Sequence, residues 1–237
     1  MYKRQEPEAV AINGWPKELD GFRAVGPSAV QLEDGRVRLY FGTERIAADR
    51  KEPAKSPVRN PAIPGEPMPV PRNGEAMGSG TDETLVGGIL SAVSNDGRSF
   101  AIEAGVRLES GGKQQADPDV VLLPAAAEGD GRKLEPWLMF ITRGDSTVLA
   151  RSADGLKWVP DGDFRWSSAR QAAAVLVAAD TRTVRLYGID ASGMVSATFD
   201  ASTGRTKADP GLAPRPGNSP ADPAVCSGGD GTFLLAY

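Results

Sequence analysis

Three aspartates stand where carboxylates could do chemistry. Asp117 and Asp119 open the run Asp117-Pro118-Asp119-Val120-Val121-Leu122-Leu123, and Asp222 opens the similar run Asp222-Pro223-Ala224-Val225. Asp119 interrupts an apolar run, where an unpaired carboxylate is costly unless it faces a polar channel or a partner. Asp117 and Asp222 precede prolines, a setting that suits a turn-capping acceptor as well as an active-site group. The chain contains no histidine. Ser-His-Asp and Cys-His arrangements are therefore excluded, as are the commonest zinc ligands, and proton transfer at neutral pH falls to carboxylates, Lys, Tyr or water. One cysteine, Cys226, excludes an internal disulfide and a multi-cysteine zinc site. Following Ala224-Val225, it reads as a small buried core residue. Neither a metal nor a cofactor is expected.

The elements that must position these carboxylates are short strands. The stretch Ala116–Trp158 holds four apolar runs rich in Val, Leu, Phe and Trp, separated by Gly129-Asp130-Gly131 and Asp154-Gly155. Such runs, bounded by Gly and Asp, read as strands joined by hairpins. A four-stranded meander buries too little surface to stand alone, so it implies packing against copies of itself. The copies are present. Gly26-Pro27-Ser28-Ala29-Val30 with Arg36-Val37-Arg38-Leu39-Tyr40-Phe41 matches the first hairpin, placing Pro27 under Pro118, Val30 under Val121 and Phe41 under Phe140. Ser94-x-Asp96-Gly97-x-x-Phe100 repeats Ser152-x-Asp154-Gly155-x-x-Trp158. A third inner hairpin spans Ala172–Gly188, where Arg185-Leu186-Tyr187 echoes Arg38-Leu39-Tyr40, and a fourth spans Asp222–Tyr237. Once a proline-rich excursion at 44–84 is set aside, the spacing is about 50 residues, as in a β-propeller with four-stranded antiparallel blades. Four blades are countable and five are compatible. The chain is expected to be one all-β domain over 1–237, its ring closed by pairing of the strand near Ala9–Ile12 with the last blade.

The excursion carries seven prolines between Pro53 and Pro71, a density that forbids ladder pairing. It reads either as a flap near a binding surface or as a mobile insertion. Charge adds little. With 27 Lys+Arg against 31 Asp+Glu, the net charge of −4 gives no electrostatic reason to expect a nucleic-acid partner. No run approaches the roughly 18 apolar residues that span a bilayer. Met1–Glu8 contains no apolar leader; the compartment would be secreted or periplasmic had one been removed.

The inner hairpin Asp-Pro-x-Val-Val…Asp-Gly…Leu-Met-Phe, followed by Ser-x-Asp-Gly-x-x-Trp, resembles the five-bladed propellers of the arabinanase, levansucrase and invertase superfamily, and more loosely sialidase-type repeats. The likeness covers about 26–237 apart from the excursion. It implies hydrolysis or transfer at a glycosidic bond by carboxylates gathered where the innermost strands approach the ring axis. Asp117, Asp119 and Asp222 match the position that opens an inner strand, implied to supply a general base and its tuner. Gly26 and Ser28 stand at that position in the first blade, and no glutamate motif matches the general acid. Glu44 and Glu135 lie nearest to inner-hairpin ends. Sialidase-like propellers hold a substrate carboxylate with converging arginines, implying a binding role for Arg38, Arg143 and Arg185. Trp15, Trp137, Trp158 and Trp166 could stack on a sugar, although Trp137 and Trp158 also read as inter-blade core. The expected partner is a carbohydrate or small polar ligand; the alternative is a noncatalytic propeller that acts as a protein-interaction scaffold.

Overall fold

The computed structural model describes residues 10–45, 88–109, 115–124, 135–167, 169–177, 182–209, 222–227 and 232–236. No α-helix occurs among them. The first sheet contains β1 (Ala11–Asn13), β2 (Phe22–Gln31), β3 (Val37–Arg45), β4 (Ile89–Ser94) and β5 (Ser99–Ile102), in the order β1-β5-β4-β3-β2. The second is β6 (Gln115–Leu122), β7 (Trp137–Arg143), β8 (Ser146–Ser152) and β9 (Val159–Trp166), in chain order. The third is β10 (Arg170–Leu176), β11 (Thr183–Asp190), β12 (Gly193–Asp200) and β13 (Arg205–Ala208), and β14 (Ala224–Ser227) pairs with β15 (Phe233–Ala236). Three antiparallel meanders of four strands, the first extended by the parallel β1, pack face to face in the manner of β-propeller blades. Most of the excursion lies outside the described residues. Its flanks are joined directly, since β3 pairs with β4 from Val37↔Ser94 to Gly42↔Ile89.

Alternation along the strands sends successive side chains to opposite faces, and the core follows that rule. Between the first two sheets lie Val30, Tyr40, Met139, Ile141, Trp137 and Trp158. Leu138, Phe140, Leu149, Leu186 and Phe199 fill the space between the second and third. There Phe140, Phe164 and Phe199 meet edge to face at centroid distances of 5.6, 5.8 and 5.1 Å. The register corrects one equivalence read from sequence. Ser28 pairs with Tyr40 as Asp119 pairs with Phe140, so Tyr40, not Phe41, is the counterpart of Phe140. A one-residue offset reverses the face: Tyr40 points to the second sheet, and Phe41 to the opposite side.

The expected closure by the N-terminal strand is also corrected. Strand β1 runs parallel to β5, pairing Ala11 with Ser99 and Asn13 with Ala101, and Asn13 Nδ2 donates to Ser99 Oγ at 3.0 Å. A short 3-10 turn at Lys17–Leu19 then lets Trp15 stack on Phe41 at 6.0 Å and donate to the Leu19 carbonyl at 2.8 Å. The N-terminal segment thus covers the apolar outer side of the first sheet, Phe41, Leu90 and Phe100, within its own blade. Cys226 is exposed rather than buried. Val225 packs towards Ala173, Val175 and Tyr187, and the period of two turns Cys226 the other way.

The repeated Ser-x-Asp-Gly turns have one construction. In each, Ser Oγ accepts the glycine N–H at 2.9 Å, and an Asp Oδ1 accepts two backbone N–H groups beyond it. Both glycines sit at φ 72°. At Asp154-Gly155 the turn is also held by the first sheet. Arg38 Nη1 reaches the Asp154 carbonyl at 3.4 Å, Tyr40 Oη donates to that of Gly155 at 2.8 Å, and Arg107 Nη1 to that of Leu156 at 3.1 Å. A Cβ on Gly155 would meet Tyr40 Oη at 2.7 Å, so only glycine fits.

Candidate functional site

In or just before the inner strand of each sheet stands one residue in the left-handed region: Gly26 (φ 55°) in β2, Asp117 (φ 49°) in β6, Gln171 (φ 53°) in β10 and Asp222 (φ 47°) before β14. In the first three sheets the ladder slips at this point, between Val25 and Ser28, Ala116 and Asp119, and Arg170 and Ala173. A β-bulge of this kind re-aims a side chain. Left-handed backbone costs a non-glycine residue about 1 kcal/mol or more, so three such residues at one repeat position are held by their surroundings. The four positions surround a pocket of about 590 Å³, whose wall also includes Pro27, Ser28, Pro118, Asp119, Ala172 and Pro223.

Asp117 lies against the first sheet, where a Cβ on Gly26 would meet Asp117 Cα at 2.8 Å and Oδ1 at 2.7 Å. The missing side chain at Gly26 is what lets the carboxyl approach. Burial, then the negative charge of Asp222, pushes Asp117 above the ordinary carboxylate range, against a hydrogen bond from Thr142. Thr142 Oγ1 also accepts the Gln171 N–H at 2.8 Å. With that lone pair used, its hydroxyl proton is directed to Asp117. Gln171 Nε2 donates to Asp222 Oδ1 at 2.6 Å, so an amide and a hydroxyl orient the two carboxyl groups.

Asp119 sits deeper and ties three sheets together. Ser28 Oγ donates to its Oδ1 at 2.9 Å, and the Ala174 N–H to its Oδ2 at 2.7 Å, while Ser28 Oγ accepts the Val120 N–H at 3.0 Å. Both carboxylate oxygens are engaged. Burial nevertheless raises its pKa to about 6, because two neutral donors do not replace full hydration.

The structure brings Asp117, Asp119 and Asp222 to one pocket and leaves the three arginines elsewhere. Arg38 is buried between the first two sheets, 5.9 Å from the Trp137 ring centroid and 2.8 Å from Glu103 Oε2. Arg185 pairs with Asp209 at 3.5 Å. Arg143, at the end of β7, borders a smaller cavity with Asp161 and Arg165. Glu44 is exposed and bonded to Arg23, and neither it nor Glu135 lines the aspartate pocket. Trp137 and Trp158 are inter-blade core, and Trp15 and Trp166 also lie outside the pocket wall. Gln171 and Thr142 are the functional candidates that the sequence reading did not single out. Gln171 had a signal, because it aligns with Asp117 and Asp222. Among the described residues no group of three or more Asp, Glu or Cys side chains could hold a metal ion, and no helix is long and apolar enough to cross a membrane.

A scan against protein-family models finds no match, and a search of curated proteins finds none. Among solved structures, the chain is similar to Zg3597, a family 117 glycoside hydrolase from the marine bacterium Zobellia galactanivorans, with a TM-score of 0.52 and 15% sequence identity. The match covers 86% of this chain and 60% of that enzyme. A fructofuranosidase from Schwanniomyces occidentalis, complexed with fructosylnystose, aligns at TM-score 0.47 and 12% identity over 81% of this chain and 35% of its own. The chain thus spans less than two thirds of either structure, and what it shares with the family 117 enzyme is the fold.

Proposed function

We propose that the pocket ringed by Gly26, Asp117, Gln171 and Asp222 binds a carbohydrate or related polyhydroxylated ligand, and that Asp117 and Asp222 act on a glycosidic bond. The observation that carries this is the placement of two acidic side chains by left-handed residues at one repeat position, around one cavity. The roles follow from their surroundings. Asp117, whose pKa is raised by burial and by Asp222, is assigned as proton donor to a leaving-group oxygen; Asp222, more exposed and oriented by Gln171, is the second carboxyl group of the pair. Such a pair works without histidine. Asp119 is assigned a positioning role, since both of its oxygens bind neighbouring sheets. The fold shared with a glycoside hydrolase supports the reading.

A second reading, a noncatalytic propeller used as an interaction scaffold, is favoured by one fact: no glutamate is among the described residues lining the pocket. The experiment separates the two. The full chain is assayed on a panel of aryl glycosides and oligosaccharides, with binding followed by calorimetry. Turnover abolished in both D117N and D222N, with binding kept within about threefold, supports the hydrolase. Turnover unchanged in both eliminates the pair. Saturable binding without turnover moves the conclusion to a noncatalytic propeller.

A further inference from the structure

A second cavity, of about 710 Å³, opens on the outer side of the first sheet, away from the aspartate pocket. It lies between the 3-10 turn at Lys17–Leu19, the sheet, and the loop at 103–109. Its apolar floor is Leu19, Leu90 and Ile102, and its rim carries the exposed carboxylates Glu18 and Glu109. Thr43 lines the same space. In β3 it shares a face with Phe41, so its side chain lies on the cavity side of the sheet. Thr43 is only 6% exposed, and its Oγ1 has no hydrogen-bond partner. An orphaned buried hydroxyl costs about 1–3 kcal/mol, and here it borders an opening that a ligand can enter.

The charges at the wall are not all free. Glu103 is held by Arg38 and by Ser91 Oγ, and Arg107 turns its guanidinium to the carbonyls of Ala104, Gly105 and Leu156. Glu18 and Glu109 remain, and no basic side chain is among the described lining residues. From this juxtaposition we infer that the cavity is a binding site for an amphipathic amine: an ammonium between Glu18 and Glu109, an apolar body over Leu19, Leu90 and Ile102, and a second hydrogen-bonding group against Thr43 Oγ1. Neither a glycosidic bond nor the aspartate pocket enters the argument.

The probes are aminohexanol, hexylamine, which lacks the hydroxyl, and hexanediol, which lacks the charge. They are titrated into the full chain while tryptophan fluorescence is followed, with W15F identifying the signal from Trp15 beside the cavity. Aminohexanol is expected to bind about three- to tenfold more tightly than hexylamine, the worth of one neutral hydrogen bond. Its advantage over hexanediol should be about two- to fivefold and should shrink with salt. In T43V the first difference disappears; in E18Q with E109Q the second does. D117N with D222N leaves all three affinities unchanged, which separates this site from the first. Absence of saturable binding by aminohexanol overturns the inference, and so does a T43V protein that keeps the preference for aminohexanol over hexylamine. Should T43V fail to fold, the wild-type ranking decides alone.

Discussion

Asp119 offers the sharpest test of the physical argument, because its environment penalises charge while its hydrogen bonds hold it in place. Its pKa is about 6 in the folded protein against 3.8 for an ordinary aspartate. The folded state therefore binds the proton more tightly than the unfolded chain, and stability falls as pH rises from about 4 to about 6. At about 1.4 kcal/mol per tenfold change in proton affinity, the full loss is at most about 3 kcal/mol, less whatever water in the pocket recovers. D119N is the perturbation. The amide is isosteric and uncharged, its nitrogen can donate to Ser28 Oγ, and its oxygen can accept from the Ala174 N–H. Near pH 7.5 the variant should be more stable by up to about 3 kcal/mol, or about 6–12 °C in Tm for a chain of this size. Near pH 3 the two proteins should converge. Urea unfolding at a series of pH values gives the difference free of contributions common to both. If D119N were less stable than wild type near pH 7.5, or if their difference did not change between pH 4 and pH 6, the charged form would be at home in the fold and the reasoning would fail.

Three other outcomes follow from the packing. G26A should lose more than about 2 kcal/mol in chemical denaturation, since alanine adds left-handed strain and a Cβ 2.8 Å from Asp117 Cα; a neutral effect would mean that the two inner strands can part freely. Y40F removes the donor to the Gly155 carbonyl, which still accepts Trp158 Nε1 at 3.0 Å, so a loss of about 1 kcal/mol is expected. R38M should cost about 3 kcal/mol by leaving Glu103 charged without its guanidinium; adding E103Q should recover part of that, and a strictly additive double variant would show that the two are not coupled.

The strands, the repeat and the gathering of Asp117, Asp119 and Asp222 were legible because each rests on local chemistry. Alternation and Asp-Gly turns need only neighbouring residues, and equivalent positions in stacked repeats reach equivalent radii. The left-handed backbone was also written in the chain, as the exchange of Gly26 for Asp117, Gln171 and Asp222 at one aligned position, but without a register a glycine reads as an ordinary turn. What failed depended on distant surroundings. An isolated run such as Ala11-Ile12-Asn13 has no register of its own, and the edge of β5 was as open to it as the last sheet. The arginines were misplaced for a related reason: Arg38 and Arg185 are equivalent, as read, but that position faces the next sheet rather than the aspartate pocket. Only the full register shows that Arg38 rests on Trp137.

The capture of three successive carbonyls, at Asp154, Gly155 and Leu156, by Arg38, Tyr40 and Arg107 has a consequence for how such a chain can change over evolutionary time. A repeat inserted between the first two sheets would separate each donor from its carbonyl, exposing a guanidinium-lined face on one side and an unpaired turn on the other. The first two sheets are in this sense one heritable piece. Between the second and third sheets the core contact is aromatic and aliphatic, but the Ala174 N–H to Asp119 and the Gln171 N–H to Thr142 also cross it, so a copied repeat would fit there only if it carried a carboxylate and a hydroxyl at the same two positions.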